Sequence, residues 1–300
     1  MLQARHLSSR RRFLQSGALA LAGCWGAARL RAGEAAAARP RLFAGVGIAA
    51  PLDRAAALEA QGVDFLTTSV GDFLVPDKAD EVFAKNLAKL AAAPLPVLAS
   101  NGFLRPAHLR CVGAEANHDQ VLAWAETVFR RLKQANGKLV VFGSAKSRDL
   151  RDGWPRDKAD AQFVALLQRL GPLAAQHGVT VVVEQLQASE CNYINHLGEG
   201  AALIRAANHP NIRMNADLFH MLRMGDTPAD LKAAMDVVAH LEIAEKRTRT
   251  VPGVDGDDFR AYFRVLREAA YQGSISIEGS GNDAQIGNAI KEIAKQAAEA

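Results

Sequence analysis

The chain has 300 residues, 49% of them apolar and 23% charged, with a formal net charge of +4. Residues 1–40 hold seven Arg against one Glu, so the rest carries 29 basic and 31 acidic side chains, a net −2. That body is long enough to bury a substantial core, too ordinary in composition for a disordered chain, and without the basic field that nucleic acid requires.

The N-terminus reads as an address. Ser9-Arg10-Arg11-Arg12-Phe13-Leu14-Gln15 has the form of a twin-arginine export signal, followed by a weakly apolar run from Ser16 to Gly26. That run is shorter than the roughly 20 apolar residues of a membrane span. Leu21-Ala22-Gly23-Cys24 has the form of a lipobox, which would anchor the chain by a lipid on Cys24. Ala35-Ala36-Ala37-Ala38 suits ordinary signal peptidase. The expectation is a signal over residues 1–38 with soluble cleavage near Ala38, and lipidation as the alternative. Either way the folded body, residues 41–300, is expected outside the cytoplasm, in the periplasm. An oxidising compartment permits a disulfide, and the pairing of Cys111 with Cys191 stays open.

The body alternates short apolar runs with Ala/Leu-rich amphipathic segments. Strands are expected at Leu42–Ile48, Val63–Val70, Leu95–Ser100, Lys138–Phe142, Val179–Glu184, Ile212–Ala216, Val238–Ala244 and Ser274–Glu278. Helices are expected at Leu52–Gln61, Lys78–Ala92, Glu115–Asn136, Asp157–His177, Leu197–Ala207 and Pro228–Asp236. A further helix should start at Asp257 or Asp258 and end before Gly273, and a last one should run from Asp283 to Ala298. Gly137 and Gly178 punctuate helix ends, and Pro228 suits a first helical turn. Eight strands and eight helices in strict alternation, joined by right-handed crossovers, predict a single-domain α/β fold, the (β/α)8 or TIM barrel. An open doubly wound sheet is the alternative. Gly45-Val46-Gly47 lies inside a strand rather than after it and supplies no dinucleotide fingerprint.

In such a barrel, side chains at the C-terminal strand ends converge on one mouth. Glu184, Asp217, Glu242 and Glu278 lie at or near the ends of four successive strands. Acids are poor strand formers and costly to bury. A strand-end acid alone can be the cap of the next helix; four together would repel one another unless a cation sits among them. An all-oxygen donor set suits a hard divalent ion, Mn²⁺ or Mg²⁺ before Co²⁺ or Zn²⁺. His220 and His240 are expected near the same mouth. Arg249, in Arg249-Thr250-Val251-Pro252-Gly253, could clamp a substrate oxygen. Glu190 and Asn192, in the loop after the fifth strand, are weaker candidates.

Several segments together resemble the sugar phosphate isomerase/epimerase superfamily, the xylose isomerase-like barrels that include ketose 3-epimerases and hydroxypyruvate isomerase. They are Val183-Glu184-Gln185-Leu186, Asp217-Leu218-Phe219-His220-Met221, His240-Leu241-Glu242-Ile243-Ala244-Glu245, Arg249–Gly253, Asp258-Phe259 and Gly273–Glu278. The resemblance implies a metal held by Glu184, Asp217, Glu242 and Glu278, with Glu184 and Glu278 as the acid/base pair. His220 and Arg249 would orient substrate oxygens, and Glu190 matches a second acid that the family often has in this loop; His240, from its place near the mouth, is expected as a further substrate contact. The resemblance further implies a metal-dependent isomerase or epimerase of a small keto-sugar, working by proton abstraction through a metal-bound enediolate. A lyase or dehydratase on the same barrel and a non-catalytic carbohydrate-binding barrel are the alternatives, and a homo-oligomer is open. Three departures stand out. The family usually has His where this chain has Glu242. Its Glu-Pro-Leu-Asn-Arg segment is here Glu184-Gln185-Leu186-Gln187-Ala188. Thr67-Thr68-Ser69 replaces a second strand that often ends in Glu.

Overall fold

The computed structural model describes residues 41–151 and 153–300. The twin-arginine segment, the Cys24 lipobox and the Ala35–Ala38 run lie outside these residues. Eight parallel strands close into a barrel in sequence order: β1 (Val46–Ala49), β2 (Phe65–Ser69), β3 (Val97–Asn101), β4 (Leu139–Phe142), β5 (Thr180–Glu184), β6 (Ile212–Asp217), β7 (Val238–Ile243) and β8 (Ser274–Ile277). The expected TIM barrel is therefore the observed fold. β8 returns to pair with β1 through Val46↔Ile275 and Ile48↔Ile277.

The helices are α1 (Ala55–Glu59), α2 (Asp80–Ala91), α3 (His118–Gln134), α4 (Ala145–Arg148), α5 (Arg156–His177), α6 (Leu197–Ala207), α7 (Leu218–Met224), α8 (Pro228–Ala234), α9 (Arg260–Glu268) and α10 (Asp283–Glu299). Side chains alternate across a strand. Val181, Val183, Leu241, Ile243, Ile275 and Ile277 join the core packed with the helices. Their neighbours Glu184, His240, Glu242, Ser274 and Ser276 take the other face, toward the barrel interior. There Thr67 of β2 bonds Ser276 of β8 (Oγ1–Oγ 2.9 Å) over the intervening strand β1. The ring of Phe65 fills the space where a Cβ at Gly47 would lie, 2.1 Å away, so Gly47 is needed for packing.

Two short helices were not anticipated. α4 has four residues, too few to show a period, and α7 starts directly at the end of β6. The first strand is shorter than expected, because Leu42 and Phe43 are buried in the core before pairing begins at Val46. Cys111 and Cys191 are both buried free thiols, so the disulfide left open by the sequence is not formed.

Candidate metal and catalytic site

The barrel register assembles the acids. Glu184 ends β5 beside Asn215 of β6, and Asp217 ends β6 beside Glu242 of β7. Glu278 directly follows β8, its backbone N–H donating to Ile243 O at 3.0 Å. One oxygen from each of Glu184, Asp217, Glu242 and Glu278 lies within 4.8 Å of all the others. Asp217, Glu242 and Glu184 are at most 5% exposed.

Two of the four carboxylates, Asp217 and Glu242, are held at one oxygen and free at the other. Asp217 caps α7: its Oδ1 accepts from the backbone N–H of Phe219 (2.7 Å) and His220 (3.2 Å). The helix-capping alternative is thus realised by one oxygen only, and Asp217 Oδ2 is buried with no partner. Glu242 Oε2 accepts from Asn215 Nδ2 at 2.5 Å, while its Oε1 is likewise buried and unpartnered. Glu278 accepts from Asn101 Nδ2 at 3.0 Å and from the Arg249 guanidinium.

Burial, then the neighbouring negative charges, pushes Glu184 and Glu242 well above the usual carboxylate range. Glu278 is also raised by burial, against the pull of Arg249. Unpartnered buried acceptor oxygens aimed into a cluster of acids are what a cation would satisfy. The donors are all oxygens, which fits a hard divalent ion.

His220 is fully buried on α7, with Nε2 3.6 Å from Glu184 Oε1 and 3.7 Å from Asp217 Oδ2. Its Nδ1 accepts from the backbone N–H of Gln187 at 3.1 Å. An acceptor Nδ1 places the ring proton of the neutral imidazole on Nε2. Burial favours that neutral form by lowering the histidine's pKa, against the pull of Asp217. His220 therefore presents an N–H to the cleft, which suits a substrate oxygen better than a cation.

Arg249 follows β7 in a loop organised by Glu245. That buried carboxylate accepts from the backbone N–H of Gly253 (2.7 Å), Asp255, Gly256 (2.9 Å) and Asp257 (3.3 Å). Arg249 itself adopts a left-handed φ of 52°. Its guanidinium lies 4.6 Å from the centre of the Phe219 ring and bonds both Glu278 and Glu190 (Nη1–Oε1 3.1 Å). Glu190 also accepts from Gln187 Nε2 at 2.7 Å.

Glu184, Glu190, His220, Arg249 and Glu278 line one cavity of about 430 Å³. His240 does not reach it. Two residues before Glu242 on β7, it lies deeper in the barrel, fully buried, with Nδ1 3.0 Å from Ser274 Oγ. The expectation of substrate contact by His240 is corrected by that depth. Asn192 is structural: it exchanges hydrogen bonds with the backbone of Leu150 (2.7 and 2.9 Å).

Four contributors were not singled out from sequence. Asn215 and Asn101 hold Glu242 and Glu278. Gly143, just after β4, leaves room for the carboxylate of Glu184. Arg148 of α4, fully buried, donates to the carbonyls of Phe142 (3.3 Å) and Glu184 (2.6 Å) and so ties the ends of β4 and β5 together. Asn215 was within reach of sequence, since it lies two residues before Asp217 on an inward-facing strand. The others depend on contacts between distant segments.

Residues 52–299 match the family described as the xylose isomerase-like TIM barrel. An L-ribulose 3-epimerase of Methylomonas sp. (strain DH-1) is 30% identical over 124 residues, 41% of this chain and 43% of that protein. A 3-dehydro-D-guloside 4-epimerase of Escherichia coli (strain K12) is 32% identical over 114 residues, 38% of this chain and 43% of that protein. The matched segments thus span less than half the length of those relatives. Among solved structures, an apo 3-keto-D-glucoside 4-epimerase from E. coli superposes with a TM-score of 0.69. It covers 82% of this chain and 97% of that one at 22% identity, a likeness of fold.

Proposed function

The chain belongs to the xylose isomerase-like TIM barrel family, and from that premise we propose that it is a divalent-metal-dependent isomerase or epimerase of keto-sugars. The observation that carries this reading is the ring of four carboxylates with two unpartnered oxygens, opening on a cavity lined by Glu184 and Glu278. Glu184, Asp217, Glu242 and Glu278 would hold the ion, with Mn²⁺ or Mg²⁺ favoured by the donors. When bound, such an ion polarises a carbonyl and acidifies the adjacent C–H.

Glu184 and Glu278 reach the cavity from β5 and from the residue after β8, with β6 and β7 between them. One takes the proton from the carbon next to the carbonyl. The other returns a proton to the opposite face of that carbon, which is epimerisation, or to the neighbouring carbon, which is isomerisation. His220 donates its Nε2–H to a substrate oxygen. Arg249, held by Glu190, Glu278 and the Phe219 ring, keeps Glu278 in place and presents its remaining N–H groups to the substrate.

Export is part of the same proposal, supported by the Arg10-Arg11-Arg12 segment. Cell fractionation with N-terminal sequencing tests it: a mature chain starting near Arg39 is expected, and full retention in the cytoplasm would refute it. The catalytic proposal is tested by deuterium exchange at the carbon next to the carbonyl, in a panel of keto-sugars with metal-loaded protein. Glu184→Gln and Glu278→Gln should each abolish it. Exchange retained in both variants would remove these two from the mechanism.

A further inference from the structure

Beneath the acids, the barrel interior holds a second polar layer that the proposed reaction does not use. Strand register stacks the two layers. Asp217, Glu242 and Ser276 are register partners across β6, β7 and β8, and two residues earlier on the same strands so are Asn215, His240 and Ser274. Asn215 and His240 are fully buried, and Ser274 nearly so. The Tyr271 hydroxyl lies 3.3 Å from the Ala239 carbonyl and 2.9 Å from that of Ser274, bracing β7 against β8 at this depth.

Buried polar atoms without a partner are rare, and two of them fall on adjacent, register-paired residues of this layer: Asn215 Oδ1 and His240 Nε2. Their donor and acceptor needs match. Asn215 gives an amide N–H to Glu242 Oε2 at 2.5 Å. An ionised carboxylate only accepts, so this contact fixes which way the amide points and leaves Oδ1 in need of a donor. His240 Nδ1 lies 3.0 Å from Ser274 Oγ, which has no other hydrogen-bond partner among the described residues. The serine proton therefore goes to Nδ1, and the proton of the ring stands on Nε2. Burial pushes the histidine's pKa down to about 4, which keeps the ring neutral.

We propose that His240 is a positioning residue: its Nε2–H holds Asn215 Oδ1, directly or through one bound water, and so locks the amide that holds Glu242. This rests on the reading of the four carboxylates as a divalent-cation site. From Ser274 through His240 and Asn215 to Glu242, every donor then points the same way, toward the carboxylate. Hydrogen bonds aligned in this manner polarise one another, which stabilises Glu242 as an anion at Oε2 and leaves Oε1 for the ion. Without His240 the Asn215 amide is free to turn over and set oxygen against oxygen at Glu242. His240 does this work from below the acids, without touching substrate.

Calorimetric titration with Mn²⁺ of the parent, His240→Phe, Asn215→Leu and the double variant tests the proposal. His240→Phe removes the donor and should weaken Mn²⁺ binding by about 10- to 100-fold, the usual scale for a group that orients a ligand from behind. The double variant should bind no more than about twofold more weakly than Asn215→Leu alone, because the two residues act in series. Parent-like affinity in His240→Phe, or losses that multiply in the double variant as independent packing defects would, overturns the proposal. Nitrogen NMR of histidine-labelled, Mg²⁺-loaded parent needs no variant to fold: His240 protonated on Nε2 is expected, and a proton on Nδ1 overturns the proposal. A parent that binds no Mn²⁺ yet shows the Nε2–H form would refute the cation site and leave the contact of His240 with Asn215 standing.

Discussion

Replacing Gly143 with Ala should disable the site while leaving the fold intact. An ideal Cβ at this position lies 2.3 Å from Glu184 Oε2 and 3.3 Å from its carboxyl carbon. Contacts to a Cβ below 3.0 Å do not persist, so the carboxylate oxygen must retreat by at least about 0.7 Å. The backbone tolerates the change, because Gly143 is not among the residues at positive φ. The clash is with the end of a side chain, so the cost to stability is small. The cost to function is not. Glu184 is buried against Gly143, with its other oxygen 3.6 Å from His220 Nε2, so moving Oε2 shifts the whole carboxylate within a packed site. A misplacement approaching 1 Å costs about a hundredfold in rate, about 2.7 kcal/mol in barrier. The assay is deuterium exchange at the carbon next to the carbonyl, paired with a Tm and with Mn²⁺ titration. A kcat near one hundredth of the parent, weaker Mn²⁺ binding and a nearly unchanged Tm are expected. A variant with the parent's Tm that turns over within threefold of the parent would refute the close fit of Glu184 against Gly143.

Asn215→Leu removes the donor to Glu242 and should weaken Mn²⁺ affinity by about 10- to 100-fold, the usual scale for loss of a group that orients a ligand; calorimetry with Mn²⁺ reads it directly. Chelation should lower the Tm: an ion present at 100 times its Kd stabilises by about 2.7 kcal/mol, some 5–10 °C in a barrel of this size. Arg148→Met leaves the carbonyls of Phe142 and Glu184 without their buried donor, at about 1–3 kcal/mol each, and should lower the Tm by about 5–20 °C. Cys111, whose thiol burial pushes up to about 12, should resist iodoacetamide at pH 8 in the folded protein and react fully in guanidinium. Above pH 9 the unfolded chain gives up this proton first, so the contribution of Cys111 to stability declines as pH rises from 9 towards 12.

The fold was legible because helix and strand periods differ and alternate cleanly, so the eightfold count survives boundary errors of a few residues. The acids were legible for a related reason. A charged side chain closing an apolar strand is conspicuous, and strand order alone brings Glu184, Asp217, Glu242 and Glu278 to one side of the mouth. What sequence hid is depth and support. His240 and Glu242 share the inward face of one strand, and only the tilt and register of β7 decide that Glu242 meets the acids while His240 lies beneath them. Arg148 is 36 residues from the carbonyl of Glu184 that it binds, and Asn101 is 177 residues from Glu278. No local pattern joins such pairs. Asp217 shows a further limit. Helix cap and cation ligand read from sequence as competing roles for one residue, yet one oxygen caps α7 while the other stays unpartnered.

The placement of all four acids on β5 to β8 splits the barrel into two halves with separable tasks. Under the proposed mechanism, substitutions in the loops after β1 to β3 change the wall of the mouth away from the four carboxylates. For an engineer, this makes the first half the part to randomise and the second the part to keep, with Asn101, which donates to Glu278, as a seam between them.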